Sequence, residues 1–182
     1  MIDCGIPYKK MKDDLYKCDA LLLTHIHTDH IKPSTLMSIN ADFPRIQTYG
    51  NPTTAYKFYV NHIISSKPFT VGDMTITPFE GEHDVEVTYF VIQKGDLNII
   101  YATDTNKVEN LLGLKFDYLF LESNYDERKL AELSKQYTRK GYNPYDSSFR
   151  HLSTQKCKEF YYVNRRNRDS KLIELHMSNR FY

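Results

Sequence analysis

Short apolar runs alternate with stretches of helical spacing along this chain. The runs are Ala20 to Leu23, Arg45 to Tyr49, Met74 to Phe79, Val85 to Gln93, Leu97 to Ala102, Tyr118 to Leu121 and Leu172 to Leu175. They are short and mostly end abruptly in polar residues, which predicts buried strands. Between them lie candidate helices at Pro33 to Asn40, Pro52 to Ser65, Lys107 to Leu112, Asp126 to Gln136 and Ser153 to Asn164. Ser34 or Thr35 stands near the cap of the first, and Asn51 precedes a first-turn proline in the second. Asp126 and Ser153 are expected N-caps, because their side-chain oxygens accept from unpaired first-turn N–H groups. Interleaved strands and helices predict an α/β or layered α+β sandwich. No repeat, low-complexity tract or linker interrupts the pattern. A chain of 182 residues is then expected to form a single domain over residues 1–182. Two segments resist assignment. Lys135 to Arg150 is polar, basic and tyrosine-rich, and a loop of that length is usually functional or disordered. Arg165 to Lys171 is a charge run that reads as a solvated connection.

Charge narrows the function classes. The formal net charge is +1, so no whole-molecule field drives binding to membrane or to long nucleic acid. A local phosphate site is still allowed. The three cysteines, Cys4, Cys18 and Cys157, fit neither a disulfide framework nor a CxxC metal site, and reduced thiols of a cytoplasmic protein are expected. No apolar run approaches the ~20 residues of a membrane span, and the first ten residues lack a signal-peptide layout.

The chemistry concentrates in Thr24-His25-Ile26-His27-Thr28-Asp29-His30, directly after the run ALLL. Neutral imidazole offers a metal-binding lone pair near pH 7. On extended chain His25 and His27 point to the same side. Asp29 and His30 follow at once, so one loop can serve two metals. Packing so many polar groups together without a metal would leave several of them unpaired. His83, Asp104, Glu122 and His176 each follow an apolar run, and His151 lies in RHLST. Side chains just past strand ends gather along one sheet edge in layered α/β architectures. His62 falls outside this pattern, within a helix-like stretch, and reads as structural.

THIHTDH resembles the HxHxDH signature of metallo-β-lactamase-fold proteins. The later residues fit that family's order: a third histidine, an aspartate after a strand, and a C-terminal histidine. The resemblance runs from about Ile2 to Tyr182. It implies an αββα layered α+β sandwich with two divalent metals at one edge. By that resemblance His25, His27 and His83 hold one metal, Asp29, His30 and His176 hold the other, and Asp104 bridges them. Asp3 is expected to support the ligands from behind. A nitrogen-rich donor set with carboxylates and no thiolate suits zinc, with manganese or iron compatible. Two ions about 3.5–4 Å apart can share a hydroxide nucleophile.

Within the family, ELHMSNRFY resembles the C-terminal end of the tRNase Z group, RHLSTQ resembles its His-Ser-Thr segment, and LESNYD stands where its catalytic glutamate lies. The resemblance implies that Glu122 and His151 together protonate the leaving oxygen of a phosphodiester, so Asp29, Glu122 and His151 are the candidate catalytic residues. Only 21 positions separate His83 from Asp104, which leaves no room there for a tRNA-gripping arm. The chain is similar to phage-encoded cyclic-nucleotide phosphodiesterases of the anti-Pycsar type. A dinuclear phosphodiesterase opening a cyclic nucleotide, in the host cytoplasm, is therefore the leading expectation. A nuclease acting on RNA or DNA is the alternative, and a non-catalytic metal-binding member comes third. Glyoxalase-like and lactamase branches lack the Glu122 and His151 segments, and the flavin-linked diiron branch has glutamate where His27 stands. Tyr137, Arg139, Lys140, Tyr142 and Tyr145 are candidates for stacking on a base and meeting phosphate. Met1 immediately precedes IDCG, where the family has an N-terminal hairpin. An uncovered strand edge invites pairing, and a homodimer is expected.

Overall fold

The computed structural model describes residues 1–108, 111–137 and 148–178. They fall into two compact units: Met1–Glu80 with Val85–Thr88, and Gly81–Asp84 with Tyr89–Tyr182. No helix among the described residues is long and apolar enough to cross a membrane.

The first unit carries α1 (Tyr8–Leu15), β1 (Ala20–Leu23), α2 (Pro33–Asp42), β2 (Gln47–Gly50), α3 (Pro52–Phe58), β3 (His62–Ile63), β4 (Phe69–Val71) and β5 (Met74–Glu80). β1, β2 and β3 pair in parallel, and β4 and β5 form an antiparallel hairpin. All four residues of β1 are buried, as expected of a parallel strand covered on both faces. Met11 and Leu15 of α1 and Leu36, Ile39 and Phe43 of α2 share a core with Leu21 and Leu23. Each such buried side chain contributes about 2 kcal/mol. Met1–Cys4 runs along the outer edge of β1: Leu22 N donates to Met1 O at 3.0 Å and Asp3 N to Leu22 O at 2.9 Å.

The pattern of apolar positions misplaced parts of this unit. The helix expected over Pro52 to Ser65 stops at Phe58, where Tyr59 turns left-handed with φ 54°. Three of the following five residues, Val60, Ile63 and Ile64, are β-branched and prefer extended chain. His62 therefore lies in an edge strand, exposed, with its ring stacked on Tyr49 at 4.7 Å. Helix α1 was not foreseen, although Tyr8, Met11 and Leu15 have helical spacing within its Lys- and Asp-rich run. Nor was β4, which turns back at Gly72, φ 58°. The N-cap of α2 is Lys32, which makes no side-chain cap hydrogen bond, rather than Ser34 or Thr35.

The second unit holds β6 (Thr88–Lys94, its first residue in the other unit), β7 (Leu97–Ala102), β8 (Tyr118–Glu122), α4 (Glu127–Tyr137), α5 (Thr154–Asn164) and β9 (Lys171–Leu175). β6 and β7 are antiparallel around Gly95, φ 57°, while β7, β8 and β9 are parallel. Asp126 caps α4 by accepting from Arg128 N and Lys129 N, and Ser153 caps α5 through Lys156 N, as the sequence predicts. Register does the rest: Ala102 faces Leu121, and Glu122 faces Leu175. Asp104, Glu122 and His176 thus leave the sheet at the same end.

Candidate metal centre and acid–base pair

In the first unit the loop Thr24–His30 leaves the end of β1 and is gripped from behind by Asp3. The Asp3 carboxylate accepts from Thr24 N at 2.8 Å and Thr24 Oγ1 at 2.8 Å, and lies 2.7 Å from His30 Nδ1. Cys4 N donates to His30 O at 2.8 Å. The chain passes so close that a Cβ on Gly5 would lie 1.6 Å from Asp29 O, so only glycine fits there.

The grip orients the rings. His25 is buried, with Nδ1 3.0 Å from Thr24 Oγ1. Its Nε2 lies 3.0 Å from His27 Nδ1, and the His30 ring stands 4.2 Å from its own. His30 turns Nδ1 to Asp3, which leaves Nε2 on the side of Asp29, 3.6 Å from Oδ2. A ring nitrogen held by an oxygen fixes which nitrogen can bind a metal.

Asn51 is a member of this framework that its sequence context announced only as a cap. It is buried and accepts from Thr54 N. Its Nδ2 donates to Thr24 O at 3.2 Å and Glu86 O at 3.0 Å. Thr88 N also donates to Thr24 O, at 3.0 Å. The peptide just before His25 is therefore held by two donors.

In the second unit Asp104, Glu122, His151 and His176 each place one ligand atom so that all lie within 4.8 Å of one another. Glu122 is fully buried. Its Oε2 accepts from Thr105 N at 3.1 Å and Leu152 N at 3.2 Å. Its Oε1 meets His151 Nδ1 at 2.6 Å and His176 Nδ1 at 2.9 Å. Asp104 Oδ1 lies 3.1 Å from His176 Nδ1, and its Oδ2 accepts from Thr103 Oγ1 at 2.8 Å. These hydrogen bonds to Asp104 and Glu122 raise the His176 imidazole to about 10.

His83 belongs to the same unit. Its Nδ1 lies 3.3 Å from Arg150 O, and its Nε2 3.0 Å from Asp84 Oδ1 and 3.9 Å from Asp104 Oδ1. Its loop is tied down further: Arg150 pairs with Asp84 at 2.8 Å, Lys107 pairs with Glu82, and Glu82 N donates to Thr105 Oγ1. Burial lowers the His83 pKa against the pull of Asp104 and Asp84, which favours the neutral, ligating form.

The donor set fits divalent ions. It offers imidazole nitrogens and carboxylate oxygens, several with their second polar atom already engaged. The ligand groups found among the described residues contain no thiol, and burial pushes Cys4 and Cys157 up to about 12. Zinc suits such nitrogen and oxygen donors, as does manganese. Of the residues expected to touch substrate, Tyr137 closes α4, and Arg139, Lys140, Tyr142 and Tyr145 lie outside the described residues.

The profile of the Beta-lactamase superfamily domain matches residues 4–143. Exodeoxyribonuclease WalJ of Streptococcus pneumoniae serotype 2 (strain D39) is 27% identical over 201 positions, spanning 98% of this chain and 73% of that protein. The metallo-beta-lactamase fold protein YhfI of Bacillus subtilis superposes with a TM-score of 0.75 at 18% identity, over 98% of this chain and 73% of that one. Human tRNase Z, short form, gives 0.66 at 15% identity, over 98% and 82%. The mixed α/β layered fold is that of the metallo-β-lactamases.

Proposed function

Because the chain belongs to the beta-lactamase superfamily and is a metal-dependent hydrolase, we propose that it cleaves phosphodiester bonds of nucleotide substrates, with the end of a DNA strand as the first reading. The observation that carries this is the Glu122–His151 pair, 2.6 Å apart with the glutamate fully buried. Phosphodiester cleavage expels an alkoxide, which needs a proton as it leaves. Two backbone N–H groups fix the carboxylate, the carboxylate fixes the imidazole through Nδ1, and the opposite nitrogen is left to carry the proton. His151 is partly exposed, as a group that meets substrate must be.

We assign His25, His27, His30, Asp29, His83, Asp104 and His176 to two divalent ions, zinc or manganese. When bound, such ions lower the pKa of water and neutralise charge on phosphoryl oxygens. The residues themselves do three things. Asp3 and Asn51 hold the histidine loop in register. Arg150 O and Asp84 orient His83. Glu122 aims His151 at the leaving oxygen. The DNA reading draws on the exodeoxyribonuclease similar over 98% of the chain.

A second reading, a cyclic-nucleotide phosphodiesterase, has its own observation. The interval between His83 and Asp104 is taken up by β6, the turn at Gly95 and β7, with no arm for gripping a long strand. One panel separates the readings: bis(p-nitrophenyl) phosphate, linear DNA and RNA, and 3′,5′-cyclic mononucleotides, with zinc or manganese and His27→Ala as control. Cleavage of linear strands lost in the control supports the first reading. Ring opening alone supports the second. Two bound metals without turnover of any substrate would sink the phosphodiesterase assignment and indicate a metal-binding member.

A further inference from the structure

The first unit contains a cleft of about 240 Å³ that no residue of the metal or acid–base set lines. A space of that size takes one small ring system rather than a drug-sized ligand. Its apolar walls are Pro52, Ile64, Pro78 and Phe79, with Ile64 and Pro78 buried and Phe79 half-buried. Two carboxylates, Glu80 and Glu86, and two hydroxyls, Ser65 and Ser66, also line it. Glu86 is held in place, since its Oε2 accepts from Thr53 N at 3.1 Å.

The cleft adjoins the histidine loop through shared residues. Asn51 and Thr88 line it, and both donate to Thr24 O, the carbonyl just before His25. A ligand here would lie beside the end of β1 from which the metal-binding loop departs.

The chemistry of the lining selects the ligand. Apolar walls suit an aromatic ring. Ionised carboxylates only accept hydrogen bonds, so the ring must present donors, and phosphate is repelled. Guanine alone among the bases presents adjacent N–H donors, N1–H and N2–H2, on its Watson–Crick edge. Adenine and cytosine set one amino donor beside an acceptor, and uracil and thymine flank one donor with two acceptors. We propose that this cleft is a nucleobase subsite that prefers guanine, its donor edge turned to Glu80 and Glu86. The proposal rests on the nucleotide reading given above and names the base that reading leaves open.

The test is calorimetric titration of the metal-loaded protein with GMP, IMP, AMP and CMP. IMP keeps guanine's N1–H but lacks the 2-amino group. GMP is expected to bind about tenfold more tightly than AMP or CMP, with IMP between, as a bidentate contact implies. In the double variant Glu80→Gln/Glu86→Gln the preference for GMP should collapse. Equal affinities for the four nucleotides, no binding of any, or a preference that survives the double variant would each overturn the proposal. Hydrolysis of bis(p-nitrophenyl) phosphate, which has no base, is measured in parallel on the unaltered protein. Turnover without base preference defeats the cleft alone. Base preference without turnover defeats the phosphodiesterase reading and leaves the cleft standing.

Discussion

Four non-glycine residues among those described adopt a positive φ: Asp3, Tyr59, Asp104 and His176. Three of them belong to the candidate site. Such conformations cost of order 1–3 kcal/mol and persist where the surroundings impose them. At Asp3 the imposing contacts are Thr24 and His30; at His176 they are Asp104 and Glu122. Asp and His tolerate this region better than bulky residues, which is one reason polar ligands end these strands. Gly5 is the tightest point of all. Gly5→Ala places a methyl on the Asp29 carbonyl and is expected to displace the Asp29–His30 turn. We expect a fall in bound metal by plasma emission analysis and a loss of about 2 kcal/mol or more in denaturant unfolding. Unchanged metal content would show that the turn can shift freely. The thiols offer an independent check on packing. Cys4 and Cys157 are buried and Cys18 is partly exposed. One thiol per chain should react with Ellman's reagent at pH 8 before denaturation and three after it. Burial raises the pKa of both buried thiols, so their contribution to stability is present below the ordinary thiol value near 9 and declines as pH climbs from there towards 12.

At the level of elements, the positioning of the second-unit groups comes from parallel register. Strands β7, β8 and β9 end together, and Asp104, Glu122 and His176 follow. This much was legible from sequence, because each residue stands directly behind an apolar run. HxHxDH was legible too, since its spacing alone brings three imidazoles into one loop. What periodicity missed was short or polar. Helix α1 buries only Met11 and Leu15 in an otherwise charged stretch, and β3 has two residues, both exposed. The roles of Asn51 and Arg150 O depend on contacts 27 to 67 residues away in sequence, which no local pattern encodes. Asn51 joins a cap to the Thr24 carbonyl. Asn51→Ala removes both, so we expect a loss exceeding the ~1 kcal/mol of an ordinary cap, together with weaker metal binding. Ser153→Ala should cost about 1 kcal/mol and leave metal content unaltered. Equal effects of the two substitutions on metal affinity would remove Asn51 from the metal framework.

Over the whole molecule, metal, proton and stability are linked. Asp104 and Glu122 hold the His176 imidazole protonated up to about 10. A histidine pKa raised on folding adds stability that is complete below its ordinary value of 6.5 and is lost as pH rises through the folded value. A metal must displace that proton to use the ring. Adding zinc to chelator-treated protein at pH 7.5 in weak buffer should therefore release protons and raise Tm, and His176→Ala should reduce the release. Zinc binding with no proton release would contradict the assignment of His176.

In the proposed reaction, buried Glu122 aims His151 to protonate a leaving alkoxide. This role is tested most directly by comparing two leaving groups. Turnover of a nucleotide diester that expels an alkoxide and of bis(p-nitrophenyl) phosphate, whose p-nitrophenolate leaves without a proton, is measured for the unaltered enzyme and for His151→Ala at equal metal content. His151→Ala should lose about 10²–10⁴ on the alkoxide substrate and far less on the p-nitrophenyl ester. Equal losses on both substrates would contradict this role, because His151 would then serve the metals or the fold rather than the leaving oxygen.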